Sequence, residues 1–238
     1  MKPPKPASEL TAAELARYID HSVLKPDFTP DEVRQETAAA IRYGCRTVCV
    51  NPASVAAAAE LCAGTGTGVC VVADFPFGCS STSSKVAQAE LATAAGADEL
   101  DLVANYGWIR AGLTAAVEED LRAVVEPCHE RGVPVKVILE TDALTVEQIR
   151  AGVEASVAAG ADFVKTSTGF YTGTPQHDRT GAFDEMVELL LGTAAGRCSV
   201  KGSGGIRDRE HFLRLVDLGV DRLGIGYRST PVVLGVAG

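Results

Sequence analysis

Three short segments place a lysine directly after a valine in an apolar run: Lys136 in PVKVIL, Lys165 in DFVKTSTGF and Lys201 in SVKGSGG. Lysine is among the residues least often buried, because burying an unpaired charge is costly. A lysine in a buried strand therefore needs a charged partner or a chemical use. Two aspartates occupy comparable positions, Asp20 in YIDHSVL and Asp101 in ELDLVAN.

The chemistry that these lysines offer is nucleophilic attack by an amine on a carbonyl carbon. Only the deprotonated amine forms an imine, and a lysine with an ordinary pKa of about 10.4 is almost fully charged at neutral pH. A second cation nearby and burial both make the proton easier to lose. The protonated imine is an electron sink for carbon–carbon bond cleavage, and Asp101 is the best-placed carboxylate for the proton transfers. The segments predict an imine-forming lyase.

A structural interpretation competes with the chemical one. The lysines could belong to a buried ion network, or they could point outward between helices, and such networks also perturb charges. For a single lysine that interpretation would be favoured. Three lysines on neighbouring strands favour the chemical alternative, because alternate residues of a barrel strand point inward and could share one polar layer with Asp20 and Asp101.

The elements that must position these residues follow a repeated pattern of helix, glycine, one or two residues and apolar strand. Capping-box sequences predict helix starts at Thr11, Thr29 and Thr145, where side chains at both ends of a four-residue segment satisfy backbone N–H groups. Glycines end the helical stretches and are predicted to be C-caps. They are Gly44, Gly96, Gly132, Gly160 and Gly219.

Eight segments are predicted strands: RYIDHSVL, RTVCVN, VCVVADF, ELDLVAN, PVKVILE, DFVKTST, SVKGSGG and DRLGIGY. Several are near-continuous apolar runs without hairpin turns between them, which is typical of parallel strands covered on both faces. We predict a single (β/α)8 TIM barrel domain over residues 1–238, with a loose lead at 1–10 and a short N-terminal helical extension. A doubly wound open sheet is the alternative, but it carries a glycine-rich turn after its first strand, which DHSVLKPDF lacks.

Composition narrows the partners and the compartment. Of the 238 residues, 46% are hydrophobic, and the net charge is −9. The negative charge argues against binding to nucleic acid or to an anionic membrane, and small molecules remain the expected partners. Seven cysteines without a CxxC pair suit a reduced, cytoplasmic protein, and no apolar run reaches the ~18 to 20 residues of a membrane span. The four histidines share no metal spacing, so no metal site is predicted.

Two loops could hold an anionic substrate handle. TSTGF after strand six and GSGGIR after strand seven combine glycines, hydroxyls and Arg207. Barrels place their chemistry at the C-terminal ends of strands and frequently bind phosphate in the loops after strands seven and eight. Glycine-rich turns alone are a weak signal, but their position beside the lysines strengthens it.

Four segments together resemble the deoxyribose-phosphate aldolase family, class I aldolases of the (β/α)8 type: DHSVLKPDFT, VKVILETDALT, GADFVKTSTGF and VKGSGGIRDRE. The resemblance extends over about residues 16 to 226. It implies reversible cleavage of 2-deoxy-D-ribose 5-phosphate into acetaldehyde and D-glyceraldehyde 3-phosphate, without metal or organic cofactor, in an enzyme that could be a homodimer. By the same match, Lys165 would form the Schiff base, Lys201 would favour its deprotonation and Asp101 would relay protons through water.

The resemblance also implies a substrate and phosphate site. Family members use this region around the phosphate, and the predicted residues are Asp20, Gly169, Gly204, Gly205, Arg207, Gly226 and Arg228. The sequence departs from the family in GIGYRST, where Gly226 and Tyr227 replace serines. Arg228 is predicted to compensate for the lost hydroxyls; in the alternative it is solvated on the rim. The loop FYTGTPQHDRTG is also longer and more polar than usual.

Two other functions stay open from the sequence. One is a related imine-forming barrel aldolase with a different aldehyde preference, and substrate profiling separates it from the first. The other is a catalytically silent sugar-phosphate binding protein. Binding alone would not require the costly set Lys165, Lys201 and Asp101, which weakens this last alternative.

Overall fold

The computed structural model describes residues 3–236, and its centre is a closed barrel of eight parallel strands in sequential order. The last strand pairs with the first, with Asp20 opposite Gly224. This confirms the predicted (β/α)8 barrel. The strands are β1 (Ile19–Val23), β2 (Thr47–Val50), β3 (Gly68–Ala73), β4 (Glu99–Val103), β5 (Val135–Ile138), β6 (Phe163–Lys165), β7 (Ser199–Ser203) and β8 (Arg222–Gly226).

Helices occupy the connections between the strands and form the outer layer. They are α1 (Ala12–Ala16), α2 (Pro30–Tyr43), α3 (Val55–Cys62), α4 (Thr82–Ala94), α5 (Tyr106–Arg110), α6 (Thr114–His129), α7 (Val146–Ala158), α8 (Asp184–Ala194), α9 (Arg209–Leu218) and α10 (Thr230–Leu234). Across residues 3–236, none of the helices combines the length and apolar content needed to cross a membrane.

The predicted helix boundaries are set by local side-chain chemistry. The capping boxes form at Thr11, Thr29 and Thr145, each with reciprocal bonds to the residue three positions on. The predicted C-cap glycines have positive φ angles, including 70° at Gly44 and 103° at Gly219, a backbone conformation that glycine adopts without a Cβ clash. The capping boxes and the C-caps at Gly44 and Gly219 are confirmed. Gly96 and Gly160 stand one residue beyond their C-caps, and Gly132 stands two residues beyond its C-cap.

The hydrophobic core lies between strands and helices, whereas much of the barrel interior is polar. Leu100 and Leu102 of β4 and Val135 and Val137 of β5 belong to the outer core. Residues between them in the strands, such as Asp101, point the other way because successive strand side chains alternate in direction. The alternation buries both faces of the strands and directs the charged side chains of β4, such as Asp101, into the barrel.

The N-terminal lead is docked onto the barrel. Ala7 and Leu10 are buried, and the Ala7 N–H donates a 2.7 Å hydrogen bond to the Asp217 carboxylate. The structure differs from the predicted loose lead over 1–10 at residues 7–10, where two buried apolar side chains and this bond hold the segment against α9. Residues 1 and 2 lie outside the described residues. The predicted short helical extension is α1.

Candidate active site

A single buried carboxylate gathers the three barrel lysines. The register places Lys165 opposite Lys201 and Asp101 opposite Lys136 on neighbouring strands. Asp101 Oδ2 lies 2.6 Å from Lys165 Nζ and 2.7 Å from Lys201 Nζ, and Oδ1 lies 2.9 Å from Lys136 Nζ. The structure thus brings the predicted lysines and aspartate into one polar layer.

Asp20 also belongs to this polar layer. Its Oδ2 lies 2.5 Å from Lys201 Nζ, while Oδ1 accepts hydrogen bonds from Arg222 at 2.6 Å and from Thr47 at 2.7 Å. Its exposed fraction is 0%. Asp20 is thus surrounded by the cations Lys136, Lys201 and Arg222, and the prediction that it contacts the substrate stays a prediction.

Two members of the layer escaped the sequence analysis, Glu99 and Arg222. Glu99 lies 2.7 Å from Lys136 Nζ and accepts two hydrogen bonds from Arg222, at 2.9 and 3.2 Å. The sequence did contain a signal for Glu99. It precedes Asp101 by two residues, and side chains two positions apart on a strand lie on the same face, here the inward one. The layer holds four basic side chains, Lys136, Lys165, Lys201 and Arg222, and three acidic ones, Asp20, Glu99 and Asp101.

The charges of the layer stabilise one another. Burial would raise the pKa of Asp101, but the three lysines outweigh it and hold that pKa well below its ordinary value. Burial would lower the pKa of Lys201, but Asp101 and Asp20 outweigh it, so that the pKa lies above its ordinary value. The pKa of Lys136 is raised by the same balance. Lys201 and Lys136 are therefore permanent cations beside Lys165 at neutral pH.

A cavity of about 230 Å³ opens at the C-terminal ends of β6, β7 and β8, and Lys165 lines it. Lys136 and Lys201 do not line it. Lys165 is 3% exposed, which fits an amine that reaches a cavity from a buried strand. Five of the residues predicted for substrate or phosphate also line the cavity: Gly169, Gly204, Gly205, Arg207 and Gly226.

A larger cavity, of about 580 Å³, lies at the opposite end of the barrel. Its lining includes Thr47, Gly68 and Glu99, which stand at the N-terminal ends of β2, β3 and β4. None of the barrel lysines lines it. The chemistry therefore belongs to the smaller cavity, at the end where (β/α)8 barrels carry their active sites.

Arg228 lies outside the cavity. It is exposed, its guanidinium carbon stands 5.3 Å from the centre of the Tyr227 ring, and it borders a groove with Arg42 and Tyr43 of α2. The compensation for missing serines by Arg228 stays a prediction, and this orientation favours the alternative of a solvated arginine on the barrel rim. Ser229 lines the cavity instead, so a hydroxyl is retained three residues after Gly226.

The hydroxyl run after β6 fixes the loop that borders the cavity. Thr166 Oγ1 donates to the Ser203 carbonyl at 2.7 Å and accepts the Ser203 N–H at 2.9 Å. The Ser203 hydroxyl donates to the Ser167 carbonyl, and the Thr168 hydroxyl donates to the Glu140 carboxylate. These hydroxyls are committed to neighbouring strand ends, so their first function is to hold the backbone around Lys165.

Glu140 is a further buried group that the sequence analysis did not single out. It follows β5 with a φ of 55°, a left-handed conformation that is uncommon outside glycine. Burial raises the pKa of its carboxyl group, opposed by the hydrogen bonds from Thr168. Such backbone strain is held only where surrounding contacts determine it, and here Thr168 supplies them. Glu140 thereby positions the segment that leads to Gly169.

Two loops meet backbone to backbone beside the cavity. The Ala182 N–H donates to the Gly204 carbonyl at 3.0 Å, and a Cβ atom on Gly181 would lie 2.4 Å from that same oxygen. Glycine is therefore required at Gly181 for the loop after β6 to approach the loop after β7. This contact holds the loop GSGGIR, which follows β7, against the long loop that precedes α8.

The cysteines beside the layer have ligand atoms close enough to suggest a metal set. Cys49, Cys70 and Asp101 offer atoms within 4.8 Å of one another. Both oxygens of Asp101, however, already accept from ammonium groups, and Cys70 Sγ lies 3.3 Å from Lys136 Nζ. A divalent ion would face three ammonium groups at close range, so the donor set fits an ion network.

The family described as DeoC/LacD family aldolase matches residues 15–229. The deoxyribose-phosphate aldolase of Desulfitobacterium hafniense is 43% identical over 210 residues, covering 88% of this chain and 93% of that protein. Deoxyribose-phosphate aldolase 2 of Staphylococcus aureus is 43% identical over 209 residues, covering 88% and 91%. A tetrameric deoxyribose-phosphate aldolase structure from Aeropyrum pernix superposes with a TM-score of 0.85 at 32% identity, covering 97% and 94%.

Proposed function

The chain belongs to the DeoC/LacD family of aldolases, and from that premise we propose that it cleaves 2-deoxy-D-ribose 5-phosphate to acetaldehyde and D-glyceraldehyde 3-phosphate through an imine on Lys165. The observation that carries the assignment is geometric. Of the three lysines around Asp101, Lys165 is the one that lines the cavity.

The charge balance of the interior layer supports deprotonation of this lysine. With every group ionised, four cations face three carboxylates, so the layer has one excess positive charge. Lys136 and Lys201 hold their protons because their pKa values are raised. Loss of one proton from Lys165 leaves the layer neutral and frees the lone pair that attacks a carbonyl.

The proposed reaction begins and ends at the Lys165 amine. The neutral Lys165 amine attacks C1 of the open-chain sugar to give a carbinolamine, and transfer of one proton from water to its hydroxyl group, with loss of water, gives the protonated imine. Removal of the proton from the C3 hydroxyl breaks the C2–C3 bond, releases D-glyceraldehyde 3-phosphate and leaves an enamine. Protonation of the enamine at C2 and hydrolysis of the imine release acetaldehyde and restore the amine. Asp101, in contact with Lys165, relays protons through water.

The substrate phosphate is placed on the side of the cavity away from β4. Gly169, Gly204, Gly205, Arg207 and Gly226 line that region and offer backbone N–H groups and one guanidinium. Phosphate is bound well by backbone N–H groups together with a bidentate arginine. Ser229 adds a hydroxyl to this set.

The proposed cellular setting rests on the state of the cysteines. All seven are free thiols, which suits a reducing compartment such as the cytoplasm. The proposed partners are sugar phosphates and aldehydes. The family resemblance allows a homodimer, and the solved relative from Aeropyrum pernix is described as a tetramer.

The decisive experiment traps the imine. The protein is incubated with acetaldehyde and borohydride, digested, and its peptides are weighed. One reduced two-carbon unit is expected on the peptide that contains Lys165. Lys165→Arg should lose both the adduct and turnover, by at least about a thousandfold, because guanidinium stays protonated.

The controls separate the competing assignments. An adduct on Lys136 or Lys201 in place of Lys165 would overturn the proposed nucleophile. Full turnover after exhaustive chelation with EDTA is expected, since the protonated imine is the electron sink; loss of activity restored by a divalent ion would contradict the mechanism. A panel of aldehydes and sugars distinguishes the proposed substrate from that of a related aldolase.

A further inference from the structure

The cavity carries a cation with no role so far, Lys25. It lies in the loop between β1 and α2, is exposed, and lines the same cavity as Lys165 and Arg207. Because β8 lies between β7 and β1 in the barrel, the loops that carry Arg207 and Lys25 flank the end of β8 on opposite sides. Gly226, the last residue of β8, lines the cavity between them.

Neither cation is engaged by the protein. Across residues 3–236, no carboxylate lies within ion-pair distance of the Lys25 or Arg207 side chain, and neither side chain donates a hydrogen bond. Glu32 is close enough to feel the charge of Lys25, but its carboxylate already accepts the Thr29 N–H at 2.7 Å and the Thr29 hydroxyl at 2.8 Å. Two exposed cations on one cavity of a protein with net charge −9 make a local site for an anion.

The loop that carries Lys25 is held in place against the end of β8. The Phe28 N–H donates to the Lys25 carbonyl at 3.3 Å, which closes a turn. The Phe28 ring meets the Tyr227 ring edge-on, with centroids 5.1 Å apart, and the Tyr227 N–H donates to the Ser22 carbonyl at 3.2 Å. Lys25 therefore projects from an anchored turn, which lowers the entropy lost when its ammonium group binds a ligand.

We propose that Lys25 is a specificity residue that binds the phosphate of the substrate opposite Arg207. The inference rests on the proposed function and adds Lys25 to the residues that bind the substrate phosphate in that proposal. Arg207 supplies a planar fork for two phosphate oxygens, and Lys25 supplies a compact charge from the other side. Tyr227 acts through Phe28, by holding the turn from which Lys25 reaches the cavity.

The test compares Lys25→Met with Arg228→Met, a matched removal of an exposed cation that lies outside the cavity. Each variant is assayed on 2-deoxy-D-ribose 5-phosphate and on 2-deoxy-D-ribose. Lys25→Met should lower kcat/KM for the phosphorylated sugar by roughly 10- to 100-fold and change it less than about twofold for the sugar without phosphate. Lys25→Arg should restore most of the loss, and Arg228→Met should alter neither value by more than about twofold.

Other outcomes overturn the inference without touching the lysine chemistry. Equal losses on both sugars with Lys25→Met, or no loss on either, would remove Lys25 from the phosphate site, as would a selective loss with Arg228→Met. Inhibition of 2-deoxy-D-ribose cleavage by inorganic phosphate gives a second measurement, and its inhibition constant should rise by the same factor in Lys25→Met. Borohydride trapping of acetaldehyde on Lys165 in every variant shows that the proposed function stands whichever result is found.

Discussion

The protein buries lysines in two places that differ in their surroundings. Lys85, on α4, is fully buried outside the barrel, where its Nζ lies 2.6 Å from Asp120 Oδ2 and 3.6 Å from Asp74 Oδ2 and donates to the Val103 carbonyl at 3.2 Å. One cation there faces two carboxylates. Lys165, inside the barrel, shares the single carboxylate of Asp101 with two other ammonium groups.

The difference teaches that burial alone does not mark a reactive amine. Lys85 faces the larger share of negative charge and lines neither the cavity that contains Lys165 nor the one at the opposite end of the barrel, so it has no route to a substrate through either. Lys165 stands in a layer with excess positive charge and lines a cavity. Two properties therefore distinguish Lys85 from Lys165, the lysine proposed to react: the balance of positive and negative charges around the amine, and whether the amine lines a cavity.

The largest expected effect is on the structural side of this comparison. Lys85→Met should lower the free energy of unfolding by about 3–5 kcal/mol, because Asp120 is left buried without its cation. Turnover per folded molecule should change less than about threefold, since the barrel layer keeps all its charges. Urea unfolding and active-site titration with borohydride measure the two quantities.

A second variant keeps this prediction testable if the first does not fold. Lys85→Met combined with Asp120→Leu removes both charges, and it should recover much of the lost stability. A fall in turnover per folded molecule of tenfold or more in the double variant would show that Lys85 is part of the chemistry and break the comparison.

The next effect concerns the charge count around Lys165. Lys201→Leu leaves three cations and three carboxylates, so Lys165 no longer gains by losing its proton. Imine formation at pH 7 should fall roughly a hundredfold or more and recover in part as the pH rises, because alkali supplies the free amine. The measurement is the pH profile of borohydride trapping with acetaldehyde.

Lys201→Arg is the matched control, because it keeps the positive charge beside Asp101 and Asp20. Its profile should lie closer to that of the unaltered protein than the profile of Lys201→Leu. A folded Lys201→Leu variant with an unshifted profile would remove the tuning role from Lys201 and leave only packing.

The sequence predicted the parts of this molecule that depend on local chemistry. Capping boxes and C-cap glycines are written within four residues, and the eight apolar strands fix the barrel through their lengths and order. The inward lysines followed from strand parity. Lys85 was not predicted, because a lysine on a helix is ordinarily solvated, and only the packing of α4 on α6 brings Asp120 to it.

The sequence is least informative where the direction and depth of a side chain decide its surroundings. Strand parity places Asp20 inside the barrel but does not show that Lys201 and Arg222 fill its surroundings. Arg228 follows a strand end, yet its side chain turns over Tyr227 toward α2. Lys25 reaches the cavity because Phe28 meets Tyr227, a contact between residues 199 positions apart that no local pattern contains.

The smallest effects should come from a matched pair of threonines, one in each ion network. Thr47 Oγ1 donates to Asp20 Oδ1 at 2.7 Å inside the barrel, and Thr82 Oγ1 donates to Asp120 Oδ1 at the same distance beside Lys85. Replacing either by the isosteric valine removes one hydrogen bond to a carboxylate and leaves the number of charges unchanged. Thr47→Val should cost about 1.5 kcal/mol of stability, and Thr82→Val less, because water reaches the half-buried Thr82 site.

Catalysis decides what this pair means. If the excess of positive charge sets the reactivity of Lys165, both valine variants should retain turnover per folded molecule within about threefold, since four cations still face three carboxylates in the barrel. If the hydrogen-bond geometry of the layer sets it instead, Thr47→Val should lose tenfold or more while Thr82→Val loses nothing, because only the first changes the orientation of Asp20 and hence of Lys201. Steady-state kinetics alongside urea unfolding distinguish the two, and the second result would replace charge count by orientation as the difference between the buried lysines.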